Sequence, residues 1–289
     1  MTNEVRAKKN VHNALKSLLY EVSVTPKPGL VDPSSHGAHP DMTVFTFIDS
    51  SLSLEQYFYE CAAAGFNFTG TDLTQLFRKL RPLGIQAEKE MFLATKNINT
   101  HKGAIFSVGI AVAAVGYLEQ TNKALDAFLI RTTIRDMLVD LISTDFNNLT
   151  DKAENELTAG ERHFLKYGKS GIRGEAQAGF PVVFEHALPF FKASSGPINE
   201  RLLDTLMIIA RNSEDSNLIK RAGNLAILDW LHEQIDCFFD LGGSQTSAGK
   251  AFLRQLDVIF SEKQLSLGGS ADLLILTVFL SLTLSTANQ

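Results

Sequence analysis

Apolar positions recur along this chain at intervals of three and four residues, and almost nowhere at intervals of two. The first stretch, from Asn3 to Val24, places Val11, Leu15, Leu18, Leu19 and Val22 on one stripe and leaves Arg6, Lys8, Lys9 and Lys16 for the other face. Pro26 and Pro28 stop that helix, because proline neither donates to a helical ladder nor lets its predecessor stay helical. Further helices are predicted over 52–66, 73–81, 85–96, 103–118, 125–142, 158–167, 181–192, 199–212, 225–241, 251–260 and 268–286. Pro82-Leu83-Gly84 separates two of them, and Thr158-x-x-Glu161 has the spacing of a capping box. The expectation is an all-α fold of about ten to a dozen helices in a single domain spanning 1–289. No strand–helix alternation is present to build a parallel sheet.

Two segments are apolar almost throughout. Gly103–Leu118 has no formally charged residue and is rich in Gly and Ala, which lets neighbouring helices approach closely. Ala271–Leu284 contains one charge, Asp272. Both fall short of the ~20 residues that span a bilayer, so both are expected to be buried core helices, with no membrane association.

Charge and composition narrow the possible partners. A formal net charge of -5 gives no general attraction to nucleic acid or to an anionic membrane, so a phosphorylated ligand has to be held by a local site. The only cysteines, Cys61 and Cys237, lack metal or redox spacing and suit a reducing compartment; the polar Met1–Asn10 stretch does not read as a signal peptide, and a cytoplasmic location is expected.

Four polar clusters interrupt the helices. The segment Thr25–Asp49 is long for a connection and carries Lys27, Asp32, His39, Asp41 and Asp49. Its three aspartates are hard oxygen ligands of the kind Mg²⁺ uses beside substrate phosphates, and Asp41 and Asp49 are equally suited to turns or helix caps. Asn99-Thr100-His101-Lys102-Gly103 opens the first apolar helix, where free amides and the helix dipole favour an anion. Ser170–Pro181 surrounds Arg173, Gly174 and Glu175 with glycines, and the planar fork of arginine suits phosphate. The fourth cluster joins Asp215-Ser216-Asn217 to Gly268-Gly269-Ser270-Ala271-Asp272, a second glycine-rich helix start. No Walker-type loop, dinucleotide fingerprint, nucleophile elbow or zinc spacing occurs. Carboxylates with separated basic residues at glycine-rich helix starts fit a Mg²⁺–phosphate substrate held among helices.

Taken together and in order, these motifs resemble the triphosphoribosyl-dephospho-coenzyme A synthase family. The resemblance runs from about Leu15 to Leu284. It rests on Lys27-Pro28-Gly29-Leu30-Val31-Asp32, His39-x-Asp41-Met42, Asp49-Ser50, Asn99–Phe106, Arg173-Gly174-Glu175-Ala176 with Gly179-Phe180-Pro181, Asp215-Ser216-Asn217 and Gly268–Leu274. Leu267 departs from the proline the family favours before its glycine pair. The resemblance implies transfer of the triphosphoribosyl group of ATP to the 2′-hydroxyl of 3′-dephospho-CoA with loss of adenine. The product would be the prosthetic-group precursor destined for the acyl carrier subunit of citrate lyase, or for malonate decarboxylase. Cleaving a ribosyl–adenine bond builds oxocarbenium character and calls for nearby carboxylates. On that basis Asp32, Asp41 and Glu175 are expected to be catalytic, with Asp41, Asp49, Asp215 and Asp272 holding Mg²⁺. Lys27, His39, His101, Lys102, Gly103, Arg173, Gly174, Asn217, Gly268, Gly269 and Ser270 are expected to bind substrate and phosphate. A Mg²⁺-dependent nucleotide hydrolase and a non-catalytic nucleotide-binding protein are the alternatives.

Overall fold

The computed structural model describes residues 3–121, 125–147, 149 and 153–287, and among these it is helical without a strand. In chain order the helices are α1 (Asn3–Ser23), α2 (Val44–Ser53), α3 (Glu55–Phe66), α4 (Thr74–Ala94), α5 (Lys102–Gln120), α6 (Ala127–Met137), α7 (Leu141–Phe146) and α8 (Ala159–Tyr167). They continue with α9 (Gly171–Gln177), α10 (Leu188–Ala193), which extends a π-helical turn over Val182–Ala187, α11 (Ile198–Asn212), α12 (Ser216–Ala222), α13 (Ile227–Asp240), α14 (Ser247–Glu262) and α15 (Gly268–Ala287). Four of the fifteen, α7, α9, α10 and α12, are only six or seven residues long, which leaves eleven longer ones and agrees with the number expected from the pattern.

The two apolar segments form the centre. Helix α5 packs against α1, α3, α4, α6 and α15, and α15 packs against α1, α5, α11 and α12. Small residues on α5 allow the close approach anticipated from its composition. A Cβ on Gly65 of α3 would lie 2.2 Å from the Ala113 carbonyl oxygen, and one on Gly109 would lie 1.9 Å from the Tyr57 hydroxyl. That hydroxyl donates to the Ile105 carbonyl at 2.8 Å, so the same contact is also a hydrogen bond into the α5 ladder. Helix α5 is longer than the sequence pattern indicated, at 19 residues, and α15 runs 20 residues close to the predicted bounds; by length and composition each could cross a membrane. Length therefore does not distinguish them from spanning helices. What distinguishes them is that most of each is buried against the other helices of the fold.

Several boundaries differ from the expectation. Pro82 does not break the chain: α4 runs through it. The ring costs about 3 kcal/mol in a helix interior, but Leu76, Phe77 and Leu80 before it and Ala87 and Met91 after it are buried, and each large apolar side chain so placed returns about 1.5–3 kcal/mol. The glycine-rich segment 168–179 is not a loop, because residues 171–177 wind into α9. Conversely, 125–142 is not one helix: α6 ends at Met137 and α7 starts at Leu141. The long connection after α1 ends at Thr43, whose hydroxyl accepts from the Thr46 amide in a reciprocal cap of α2. The capping box at Thr158 and Glu161 forms as expected.

One core cluster joins residues from Ala7 to Leu284. A small second cluster, Phe146, Leu149 and Leu157 with Ile142 and Phe164, packs apart from it around α7 and α8. Asp145 ties that unit to the body, accepting from Arg81 of α4 and from Arg173 of α9, each at 2.6 Å.

Candidate active site

Helices α5, α12 and α15 point their N-terminal ends at one cavity of about 480 Å³, whose wall includes Lys102, Gly103, Ser216, Asn217, Gly268 and Gly269. Three positive helix ends directed at one space favour negative charge there. Lys102, Arg173, Lys220 and Arg221 also line it, as do His39, His101, Glu21 and Asp272. A second cavity of about 360 Å³ shares Arg173, Asn217 and Lys220 with the first and adds Arg162 and Lys166. A third, of about 470 Å³, meets the first at Gly269 and contains Glu175.

Asp215 builds the corner between α12 and α15. One carboxylate oxygen accepts from the amides of Asn217, Leu218 and Gly269, and the other from the amide and hydroxyl of Ser270. With five donors around a side chain only 3% exposed, Asp215 is a double helix cap, and its oxygens have no lone pair directed at a metal. Space at Gly269 is tight: a Cβ on it would sit 3.0 Å from the Asp215 carboxylate.

Asp272 lies in the first turn of α15, partly buried, against the first turn of α5. It accepts from the Ala104 amide, and a Cβ on Gly103 would fall 1.9 Å from its Oδ2. Burial, followed by the nearby Glu21 and Asp215 charges, pushes its carboxyl well above the usual range, with the Ala104 amide opposing the shift.

Glu21, which the sequence reading overlooked, is 2% exposed and forms an ion pair with the fully buried Lys27. Lys27 also donates to the Glu21 carbonyl at 2.6 Å. This overturns the expectation of Lys27 as a phosphate contact: its ammonium is sealed in the fold and paired with Glu21. Asp32 is likewise internal. It accepts from the Lys27 amide, from the Ser34 amide and hydroxyl and from the Ser35 amide, so both oxygens are occupied in shaping the loop and it does not line the cavity.

The remaining expected residues divide clearly. His39 lines the cavity with Nε2 at 3.0 Å from the Ser266 hydroxyl, and burial followed by the Arg221 charge lowers its pKa to about 4. Lys102 pairs with Glu88 at 2.7 Å on the rim, and Arg173 pairs with Asp145 at 2.6 Å. Asp41 and Asp49 are exposed and not in the cavity wall. Glu175 lies in the adjoining cavity, where its carboxylate caps the π-helical turn through the Val182 amide at 2.8 Å. Burial raises it to about 7 against that hydrogen bond and the Arg131 charge. Gly174 packs its missing side chain against the Ser170 hydroxyl, 2.0 Å from where a Cβ would be. Ser270 is fully buried beneath Asp215.

The four aspartates expected to bind Mg²⁺ thus do not converge. Among the described residues no three Asp, Glu, His or Cys side chains gather closely enough to hold a metal ion. Glu21 could have been found from the sequence, since it falls on the apolar stripe of α1 beside Leu18 and Val22, where a carboxylate is out of place.

Cationic rims and helix ends around a space large enough for nucleotides, with a carboxyl pair on its wall, are the features of an enzyme acting on polyphosphorylated nucleotides. Comparison with known families specifies which. The family model described as "CitG: ATP:dephospho-CoA triphosphoribosyl transferase" matches residues 7–289, and the chain belongs to that family. It is 56% identical over 272 residues to a protein of Lactiplantibacillus plantarum named "Probable 2-(5''-triphosphoribosyl)-3'-dephosphocoenzyme-A synthase", covering 94% of this chain and 96% of that one. It is 54% identical to "Protein CitXG" of Leuconostoc mesenteroides subsp. cremoris, covering 94% of this chain and 58% of that longer one. A Vibrio cholerae protein, also named a probable synthase of this kind, is 42% identical across 92% of this chain and 85% of its own length. No solved structure matches. The all-α fold and the ATP-using transferase class implied by the resemblance are therefore those of this protein.

Proposed function

We propose that the cavity between α5, α12 and α15 transfers the triphosphoribosyl group of ATP to the 2′-hydroxyl of 3′-dephospho-CoA, and that Glu21 and Asp272 are its base and acid. The observation that carries the assignment is the different surroundings of these two neighbouring carboxyls. Glu21 is ion-paired with the buried Lys27, whereas burial, followed by the nearby Glu21, pushes Asp272 toward its protonated form. Neighbouring carboxyls in such different surroundings are suited to separate acid and base duties.

In the reaction the C1′–N9 bond of ATP breaks and a bond from C1′ to the acceptor oxygen forms. Glu21 takes the proton of the attacking hydroxyl, and Asp272 gives its proton to the departing adenine, which receives the bond's electron pair. Both carboxyls also offset the positive charge that builds on the ribosyl ring. Proton return from Glu21 to Asp272 restores the starting state. The triphosphate lies toward Lys102, Arg173, Lys220 and the amides at Gly103 and Gly268. Lys102 sits in a partly exposed ion pair worth only about 0–1 kcal/mol, so exchanging Glu88 for a phosphate is inexpensive.

Among the described residues the side chains do not gather into a metal site, so Mg²⁺ enters this scheme only as the counter-ion that ATP brings with it, and no step is derived through it. The product is the prosthetic-group precursor handed on toward the acyl carrier subunit of citrate lyase, within the cytoplasm.

The test is adenine release from ATP and Mg²⁺ with and without 3′-dephospho-CoA. Release that requires the acceptor supports the transferase. Release without it identifies a hydrolase, and binding without release identifies a carrier. Replacing Asp272 by Asn is expected to abolish release while ATP still binds.

A further inference from the structure

His101 stands where α5 begins, at the wall of the same cavity, and its imidazole is completely buried. Its two ring nitrogens have different surroundings. Nδ1 lies 2.7 Å from the Ser50 hydroxyl, whereas Nε2 has no hydrogen-bond partner. A buried ring nitrogen without a partner is costly, and a ligand group that pairs with it removes that cost.

The tautomer follows from the next residue in the chain of hydroxyls. Thr100 donates its hydroxyl to the Ser50 oxygen at 2.7 Å, so the Ser50 hydrogen is directed at Nδ1. Nδ1 is then the acceptor, and the ring hydrogen is on Nε2. Burial, with the Lys27 charge nearby, holds the ring neutral by lowering its pKa to about 3. A neutral ring of this kind offers a hydrogen bond without giving up a proton. The Phe47 ring meets the imidazole edge to face at 5.1 Å, and Leu30, Val31 and Met42 line the same cavity. Such a wall suits a planar base better than a phosphate, which is better served by the cationic rim.

We propose that His101 donates an Nε2–H hydrogen bond to a ring nitrogen of the departing adenine, with Thr100 and Ser50 as positioning residues that fix the tautomer. The proposal rests on the reading of the cavity as the triphosphoribosyl transfer site. As the C1′–N9 bond breaks, its electron pair moves into the purine, and a donor aimed at a ring nitrogen stabilises that charge without altering the proton balance between Glu21 and Asp272.

The experiment compares ATP with 3-deaza-ATP and 7-deaza-ATP in the wild-type, His101→Leu, His101→Gln and Ser50→Ala proteins, reading adenine or deazaadenine release that depends on 3′-dephospho-CoA. Losing the donor is expected to lower kcat about 100-fold in His101→Leu with little change in the KM for ATP. His101→Gln, which keeps an amide donor, is expected to recover part of that loss. For the analogue lacking the contacted nitrogen, wild-type protein falls by a similar factor, and His101→Leu and Ser50→Ala fall by much less than wild type does. If both analogues cost every protein the same factor, the contact does not exist and the proposal is overturned. If His101→Leu does not fold, the comparison of wild type with Ser50→Ala decides the matter alone. Wild-type protein that releases no adenine in response to 3′-dephospho-CoA would instead refute the transfer reading, an outcome separate from failure of the His101 contact.

Discussion

Asp215 accepts both the amide and the hydroxyl of Ser270 through a single carboxylate oxygen, at 2.7 and 2.9 Å, while its other oxygen serves the start of α12. One side chain therefore sets the angle between two helices whose ends face the cavity. Replacing Asp215 by Ala removes two caps and leaves buried amides unsatisfied, an expected loss of about 2–4 kcal/mol measured by urea unfolding. Asp215→Asn is expected to lose less, because its amide oxygen can still accept.

The acid role of Asp272 predicts a definite pH dependence. Its folded pKa is raised, so the protonated form active as the acid is lost as pH rises through that raised value, and kcat/KM falls there. The same shift makes the folded protein bind this proton more tightly than the unfolded chain does. Its contribution to stability is therefore complete below the ordinary Asp pKa and is lost as pH rises through the folded one. In Asp272→Asn, urea midpoints measured across this window are expected to vary less with pH than those of the wild type.

Gly103 has no room for a methyl group, because a Cβ would meet Asp272 at 1.9 Å. Gly103→Ala is expected to shift the carboxyl by a few tenths of an ångström or more and to lower kcat by about 100-fold, since misplacement on that scale is costly near reacting atoms. Circular dichroism melting should show a much smaller change than turnover does.

Lys27→Met leaves the Glu21 carboxylate buried without its cation. The expected cost is about 3–5 kcal/mol in urea unfolding, accompanied by loss of adenine release.

Asp41 and Asp49 point the other way. Both are exposed and off the cavity wall, so Asp41→Ala and Asp49→Ala are expected to keep turnover within about 3-fold and stability within about 0.5 kcal/mol. A loss of Mg²⁺ dependence in either variant would restore the aspartate-rich loop as a metal site.

The helical fold was legible because its signal is local: the three-and-four spacing of Val11, Leu15 and Leu18 is written in consecutive residues. The errors fell where tertiary packing overrides local preference, as at Pro82, where buried neighbours on both sides carry α4 through. The cavity was half legible. Glycine-rich helix starts at Gly103 and Gly268 announced themselves, and both line it. Most of the division of labour among carboxylates did not, because it depends on partners far away in sequence: nothing near Asp215 reveals that Ser270 will saturate it. Lys27 and Glu21 are only six residues apart, but the turn at Pro26 and Pro28 that brings them together is not written in the helical spacing. Asp145, which clasps Arg173, lies in a stretch with no motif at all.

The small cluster around Phe146, Leu149 and Leu157 has a mechanical consequence. The body that carries α5 and α15 interlocks at close contact distances within one core. Helices α7 and α8 share the small Phe146–Phe164 cluster, reach the body through Leu141 and α9, and are clasped to it through Asp145. Amide hydrogen exchange should therefore be faster in α7 and α8 than in α5, and ATP should slow it as Arg173 changes its partner from Asp145 to phosphate.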